Sequence, residues 1–404
     1  MGINGLLPHL PGSGKHYHSF FDLKMDGIVP IDIAGALFQF AAHNPNDYLR
    51  GNHTPALVEF ARWLSYLRSI CGWKMRIFFD GMENPHKRFE AQRRQDSRDS
   101  AATNDNAYGQ VRNTPEYIAK ACAICRFLNV DFQVATYEAD PQTTIFAAKN
   151  SLAPVTGDSD LLAYGHPSTP EISKFIIAKQ YPSEWYRIID LDTNVNPGEY
   201  LLLDLHKKHG RIVFQLYAGC TGCDFTEARN GIDKFGHAKF IETVQSIGHN
   251  LDSMSLACAI WNTHAHVAES AGFSSQEAIK CHLQRVVDIH TTGEVHNDQS
   301  AIVTLNGTMI VDATGASRSH MNGNLNSRTR HPFSDALIKE LEELNVSQLI
   351  HKSANDASSI RGAQLPIGKT AQQCTVPQLR DHIACRGGTM SNKNKAALIC
   401  TAQQ

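Results

Sequence analysis

The sequence predicts an α/β fold, a mostly parallel sheet with helices on both faces, followed by a helical extension and a small C-terminal helical module. Three observations predict it. Strand-like apolar runs alternate with helix-like segments through the first 230 residues, the βαβα order that builds parallel sheets. Thr-Pro pairs at Thr54-Pro55 and Thr114-Pro115 open two of the helices, each pair an N-cap followed by the residue suited to the first turn. Acids follow four successive strand-like runs, and the C-terminal ends of parallel strands share one edge.

Gly27 to Asp32 (GIVPID) reads as a short buried strand ending in an acid. Thr54 caps the next helix, where Leu57, Phe60, Trp63, Leu64, Leu67 and Ile70 recur on one face. Lys74 to Asp80 (KMRIFFD) is a second strand ending in an acid. Thr114 caps a helix running to about Leu128; Val130 to Val134 is a third strand and Ala153 to Thr156 a fourth. Between Arg88 and Thr114 the periodicity weakens, and Arg98 to Asn113, rich in Ser, Asp, Asn and Ala, reads as an exposed excursion. Residues 225–270 look helical, and 286–311 contain a hairpin. Residues 313–330 have linker composition. Phe333 to Ile350 reads as a helix and Thr375 to Thr401 as a small helical module. The expected boundaries are a core at 1–220 with a short arch at 86–114, an extension at 221–311, a linker at 312–332, a helical segment at 333–372 and the module at 373–404.

Composition narrows the function. Lys plus Arg number 38 and Asp plus Glu 40, a formal charge of −2. That excludes a globally basic nucleic-acid binder, so a nucleic-acid site has to be a local patch. No apolar run approaches the ~18 residues of a membrane-spanning helix, and the N-terminus has no signal-peptide pattern. The ten cysteines then read as intracellular thiols. Cys122-x-x-Cys125 falls inside an amphipathic helix and Cys220-x-x-Cys223 about 95 residues later, well outside zinc-finger spacing. Gly12-Ser13-Gly14-Lys15 fails the phosphate-loop pattern because His16 follows the lysine.

The informative feature is the placement of the acids. Asp32 and Asp80 end strands, Glu138 and Asp140 follow the third, and Asp158 and Asp160 follow the fourth. A single acid at a strand end is ordinarily a helix cap or a solvated loop residue. Six converging acids repel, by about 4 kcal/mol per pair ~4 Å apart at an effective dielectric near 20. Such a cluster persists when protons or cations neutralise it, and an all-oxygen set suits Mg²⁺ or Mn²⁺.

At these residues the sequence resembles the flap-endonuclease/XPG family of structure-specific 5′ nucleases. The resemblance runs through Met1-Gly2-Ile3-Asn4-Gly5-Leu6, Ile31-Asp32, Phe79-Asp80-Gly81, Tyr137-Glu138-Ala139-Asp140-Pro141-Gln142, Asp158-Ser159-Asp160-Leu161-Leu162-Ala163-Tyr164-Gly165 and Gly222-Cys223-Asp224-Phe225. The wording is closest to the exonuclease-one branch. The resemblance implies a PIN-like nuclease core binding two Mg²⁺ ions, with Mn²⁺ as a substitute. Asp32, Asp80, Glu138 and Asp140 resemble the ligands nearer one metal; Asp158, Asp160 and Asp224 resemble those of the other, and Asp140 serves both. Lys87 and Arg94, seven residues apart on one helix face, resemble the pair that contacts the scissile phosphate. Residues 86–98 hold Lys87, Arg88, Arg93, Arg94 and Arg98 against Glu90 and Asp96, and Arg93 is assigned to DNA with them. Phe38 falls where the family stacks a ring on a base, and equally fits an apolar core. Gly2 falls where the family packs its processed N-terminus near the active site.

Gly231 to Gly236 (GIDKFG) resembles a helix–two-turn–helix that grips duplex backbone with a monovalent cation, K⁺. Asp233 stands where a second glycine is usual, which leaves Gly236 to supply the tight turn. Val376, Leu379, Ile383, Arg386-Gly387, Lys395-Ala396 and Leu398-Ile399 resemble a SAP motif, one residue long in its loop. The expected partner is DNA with a 5′ flap, nick, end or junction, and the implied compartment is the nucleus. Asp80 and Glu138 are only 58 residues apart, a shorter arch than in typical flap endonucleases and closer to the Holliday-junction-resolving branch. A junction resolvase, dimeric on its substrate, and a non-catalytic nucleic-acid-binding scaffold are the alternatives; the complete set of acids speaks against the scaffold.

Overall fold

The structure is a computed structural model. It describes residues 2–304, apart from 13–17, 21–22, 24, 166–169, 179–184, 229–230, 249, 293 and 297–301. The expected linker, the 333–372 segment and the SAP-like module lie outside the described residues.

Four central strands are those the sequence predicts: β2 (Ile28–Asp32), β3 (Lys74–Phe79), β4 (Asp131–Val134) and β5 (Val155–Thr156). Three more were not foreseen: β1 (His18–Ser19), β6 (Lys174–Ala178) and β7 (Trp185–Asp190). The seven form one sheet in the order β1-β7-β6-β5-β2-β3-β4. Strands β6, β5, β2, β3 and β4 are parallel, whereas β7 and β1 add antiparallel at one edge. Both faces are covered. In β6, Phe175 and Ile177 enter one core while Ile176 and Ala178 enter the other, the two-residue period of a strand buried on both sides. A second, two-stranded antiparallel sheet pairs β8 (Glu294–His296) with β9 (Ile302–Thr304), the expected hairpin.

Helices α1 (Ala34–His43), α2 (Pro45–Leu49) and α3 (Thr54–Ser69) lie between β2 and β3. On α3, Leu57, Phe60, Trp63, Leu64 and Leu67 are buried as their spacing requires. Thr54 is not its cap. The helix begins at Thr54, and the side chain of Asn52 accepts that residue's N–H at 3.3 Å. Thr114 does cap α6 (Pro115–Phe127), accepting the N–H of Tyr117 at 3.2 Å.

The excursion after β3 is more ordered than its composition suggested. Residues Arg88–Thr103 form α4, a sixteen-residue helix, and Ala107–Gln110 form the short α5. Only Glu90 and Ala101 of α4 are buried, so hydrophobic periodicity had nothing to report. Side-chain pairs four residues apart support it instead: Arg94 with Glu90, Gln92 with Asp96 and Gln95 with Asp99, each at 2.7 Å. The arch is laid back onto α1 and α2. The Tyr48 hydroxyl donates to the Arg112 carbonyl at 2.6 Å and the Asn113 amide to the Ala34 carbonyl at 2.9 Å.

Helix α7 (Ala139–Asn150) connects β4 to β5; α8 (Leu201–His209) and α9 (Ile212–Thr221) follow the sheet. The 225–270 region is not continuously helical. The described residues of 222–236 form turns before α10 (His237–Ile247), α11 (Ser253–Ser270) and α12 (Gln276–Thr292). Its Gly, Asp and Asn content offers turn chemistry over helix. These helices bury Phe240, Val244, Leu256, Ile260, Ile279, Leu283 and Val286 in the same core as Phe214 and Leu216 of α9.

Candidate active site

The sheet carries six of the seven acids to one edge, and the loop after helix α9 brings the seventh. Asp32 is the last residue of β2. Its carboxylate accepts the Ala34 N–H at 3.1 Å and the hydroxyl of Thr156, the last residue of β5, at 2.9 Å. Asp80 directly follows β3 and accepts the N–H of Ala139, which opens α7, at 2.9 Å. Glu138 and Asp140 flank that same residue, at the positive end of the α7 dipole. Asp158 follows β5 and accepts the Asp160 N–H at 3.2 Å. Asp224 lies three residues beyond α9.

The seven carboxylates form one electrostatic neighbourhood. Burial first, and then the charge of Asp80, raises Asp32 to about 7. Burial likewise raises Asp140, reinforced by Asp32 and Asp158, and Asp160, reinforced by Asp158 and Asp224. Burial also raises Asp80 and Glu138, although Lys87 opposes it in both. Asp224 goes the other way. Burial would raise it, but Lys87 and Arg94 outweigh burial and hold it below the usual carboxylate range.

Those two cations converge from different elements. Lys87 ends the 3₁₀ turn Pro85–Lys87 and Arg94 sits two turns into α4, so they do not share one helix face as expected. Lys87 Nζ lies 2.6 Å from Glu138 Oε2 and 3.1 Å from Asp224 Oδ2, and Arg94 donates to the same Asp224 oxygen at 2.7 Å. The Lys87 ammonium also sits 4.9 Å from the centre of the Phe225 ring, a favourable cation–π placement.

As the side chains stand, no group of three or more His, Cys, Asp or Glu among the described residues is gathered to grip a metal ion. The donor chemistry nevertheless fits a hard divalent cation. Both carboxylate oxygens of the fully buried Asp160, and Oδ1 of Asp140, have no hydrogen-bond donor, and a buried carboxylate without donor or cation is costly. The two facts are compatible, because Lys87 and Arg94 draw Glu138 and Asp224 onto themselves.

The other sequence candidates are variously placed. Gly2 is buried against the acids at φ +119°; a Cβ there would fall 1.9 Å from Asp158 Oδ1 and 2.5 Å from Ser159 Oγ. The next residues strap two acidic loops together, Ile3 N–H to Ser159 Oγ at 2.9 Å and Asn4 N–H to the Gly222 carbonyl at 3.0 Å. Phe38 is half-buried on α1, packed on the core with the edge-on ring of Tyr108 6.0 Å away. Arg93 turns inward, to Glu90 and to the carbonyls of Thr226 and Glu227. Gly231 adopts φ +61° with the carbonyls of Gly219 and Cys220 2.6 Å from where a Cβ would be. Gly236 does not supply the left-handed turn. It has φ −82°, and Lys234 takes φ +60° instead.

Cys122, Cys125, Cys220 and Cys223 are buried free thiols, and burial raises all four, Cys122 to about 12. Two residues near the acids had no assigned role in the sequence reading. Tyr164 is fully buried beside Glu138, Asp140 and Asp160, which with burial raise its hydroxyl. Glu90 pairs with both Arg93 and Arg94. Its spacing of three and four residues from two arginines was the available signal.

No family model matches the chain. Its sequence is 26% identical over 274 residues to Exonuclease 1 of Drosophila melanogaster, covering 60% of this chain and 33% of that protein. Exonuclease 1 of Arabidopsis thaliana is 28% identical over 181 residues, covering 41% of this chain and 24% of that protein. The chain thus spans a third or less of the length of these curated relatives. Among solved structures, the catalytic core of Rad2 aligns with a TM-score of 0.47 and 18% identity, over 81% of this chain and 96% of that one. Flap endonuclease-1 from Methanococcus jannaschii aligns at 0.46 and 16%, over 84% and 96%. The chain is thus similar in sequence to two exonuclease 1 proteins over 41–60% of its length.

Proposed function

We propose that this chain is a divalent-metal-dependent nuclease that hydrolyses DNA phosphodiesters at 5′ ends, flaps or junctions. The observation that carries the reading is the convergence of six carboxylates at one sheet edge with Asp224 from the loop after α9, Asp160 being wholly buried and both its oxygens without a donor. A binder has no use for so repulsive a cluster. Asp32, Asp80, Glu138 and Asp140 would hold one Mg²⁺, and Asp158, Asp160 and Asp224 the other. Bound there, the ions supply an activated water and neutralise the leaving 3′ oxygen.

The chain's own residues would do the rest. Lys87 and Arg94 are the nearest cations to the acids and are already desolvated in part. A substrate phosphate competes with Glu138 and Asp224 for them, and charge developing on that phosphate is met by donors already in place. Thr156 and the Ala34 N–H fix the Asp32 carboxylate, and the Ala139 N–H fixes that of Asp80. Gly2 fills the space beside Asp158 where any side chain would displace it. Selectivity would come from backbone grip and from bending at a discontinuity, without base readout.

The test is a 5′-labelled flap duplex incubated with Mg²⁺, Ca²⁺ or EDTA, with Asp158→Ala as the comparison. Cleavage by the unaltered protein in Mg²⁺ alone, lost in the variant, is the expected result. No cleavage of flap, nick, blunt end or four-way junction by well-folded protein would overturn the reading. The short arch, folded onto α1 and α2, favours a second reading within the same chemistry. A reduced cap threads a free flap poorly and leaves room for a branched duplex. Faster cleavage of four-way junctions than of flaps would select it.

A further inference from the structure

We infer that Glu90 and Arg93 are positioning residues that lock Arg94 and the loop carrying Asp224 into one unit, so that helix α4 sets the geometry of the phosphate-binding side of the site. The kinetic part of this inference rests on the nuclease reading above.

The geometry is specific. Glu90 is one of only two buried residues on an otherwise solvated helix, an unusual place for a carboxylate. Each of its oxygens is committed. Oε1 accepts Arg94 Nε at 2.7 Å; Oε2 accepts Arg93 Nε at 2.9 Å and lies 2.8 Å from the NH2 nitrogen of Arg93. The two arginines then reach the same loop at successive points. Arg94 NH2 donates to Asp224 Oδ2 at 2.7 Å. Arg93 NH1 donates to the Glu227 carbonyl at 2.8 Å and the Thr226 carbonyl at 3.3 Å. Glu227 in turn meets Arg285 of α12 at 3.5 Å, and the Arg285 guanidinium lies 5.8 Å from the ring of Phe89, next to Glu90.

Each link has a physical purpose. Adjacent arginines repel, and a single carboxylate sharing its two oxygens between them offsets that repulsion. Arginine's long side chain loses rotamer freedom when it is held in one geometry. Fixing Nε of Arg94 through Glu90 leaves NH2 directed at Asp224 before any substrate arrives. The Arg94 side chain stays 40% exposed while Glu90 is only 10% exposed, so the clamp is inside and the working face outside. Misplacing a group near the chemistry by about 1 Å costs up to ~100-fold in rate.

The experiment compares Glu90→Gln, Glu90→Ala and Arg93→Ala with the unaltered full-length chain, in two arms. The first arm needs no activity: amide hydrogen exchange of residues 223–227 in metal-free protein. The clip predicts faster exchange there in Glu90→Ala and Arg93→Ala, with β2 and β3 unchanged, and an intermediate rate in Glu90→Gln, which keeps one acceptor. Unchanged exchange at 223–227 in both alanine variants would overturn it. The second arm is single-turnover cleavage of the labelled flap in Mg²⁺, with affinity measured separately in Ca²⁺. Glu90→Ala should cut the rate constant about 10- to 100-fold and leave affinity within about threefold, with Glu90→Gln recovering most of the rate. A rate unchanged per folded molecule, with only the Tm lowered, would mean a purely structural glutamate and also overturn the inference. If the unaltered chain cleaves nothing, the nuclease reading fails while the exchange arm still decides the clip.

Discussion

Two sides of one carboxylate cluster stand in opposite electrostatic states. On the side built by β2, α7 and β5, Asp32 and Asp160 are buried, Asp140 is half-buried, and all three are raised. On the side facing α4, Asp224 is nearly as buried, yet Lys87 and Arg94 hold it low. The residue type and the burial are the same; what differs is whether a helix delivers cations. The sheet edge alone creates a demand for positive charge, and Lys87 of the 3₁₀ turn with Arg94 of α4 meets half of it. The unmet half is where divalent ions would bind.

The contrast is most directly broken by removing one acid from the unmet side. Asp160→Asn is expected to reduce Mg²⁺-dependent cleavage by about 10³-fold or more, since several kcal/mol of metal-assisted stabilisation are at stake. The same variant should raise the Tm of EDTA-treated protein, because a repelled, donorless charge disappears. Lost activity with a lowered Tm would mean that Asp160 is held by something other than a cation requirement.

Removing a cation from the met side should have the opposite stability sign. Lys87→Ala leaves Glu138, 16% exposed, without its 2.6 Å partner, and breaking a mostly buried pair in this way costs about 2–4 kcal/mol, a little less than for a fully buried one. Cleavage should also fall, by about 10²–10³-fold, the usual size of a lost electrostatic stabiliser. Urea unfolding without metal and single-turnover cleavage measure the two effects. Equal stability of Lys87→Ala and the parent would remove the basis of the comparison.

A pH series sharpens it further. The folded-state Asp32 titrates near 7, up from the ordinary 3.8. A raised carboxyl favours the folded state fully below its unfolded pKa, and that advantage disappears as pH rises through the folded one. The buried His53 and His290, the latter lowered to about 4, act in the opposite sense. The informative quantity is therefore a difference. Relative to the parent, metal-free Asp32→Asn should gain stability as pH rises from about 4 to 7, by up to ~1.4 kcal/mol per unit. A difference that does not vary with pH would contradict the raised Asp32.

The smallest effect expected is at the strap. Gly2→Ala puts a Cβ into Asp158 at positive φ, a strain of about 1–3 kcal/mol. Cleavage should fall in parallel with a weaker Mg²⁺ response in thermal unfolding. An unaltered Mg²⁺ midpoint would show that Asp158 tolerates the displacement.

How much of this was legible depended on the length scale of each signal. Strands β2 to β5 announced themselves through apolar runs ending in acids, because a parallel sheet buries both faces of a strand. The Thr114 cap was equally plain, a side-chain oxygen three residues before the N–H it accepts. Strands β6 and β7 (KFIIA and WYRIID) carried apolar runs too, but no acid ends β6, and the acid that ends β7, Asp190, belongs to an antiparallel strand and lies away from the edge the other acids share. Helix α4 was hidden for a different reason. Its support comes from side-chain pairs along its own surface, which leave no apolar stripe.

The sequence by itself determined which residue types stand at the ends of the parallel strands, since alternation of strand and helix is a local property and puts the C-terminal ends of those strands on one edge. Only the tertiary structure decided the charge state of those acids and their partners. Lys87, Arg94 and Asp224 lie more than 120 residues apart at the extremes, so their meeting depends on how α4 and the loop after α9 pack across the sheet edge. Electrostatics depends on distance through space and on burial. Neither is written in spacing along the chain.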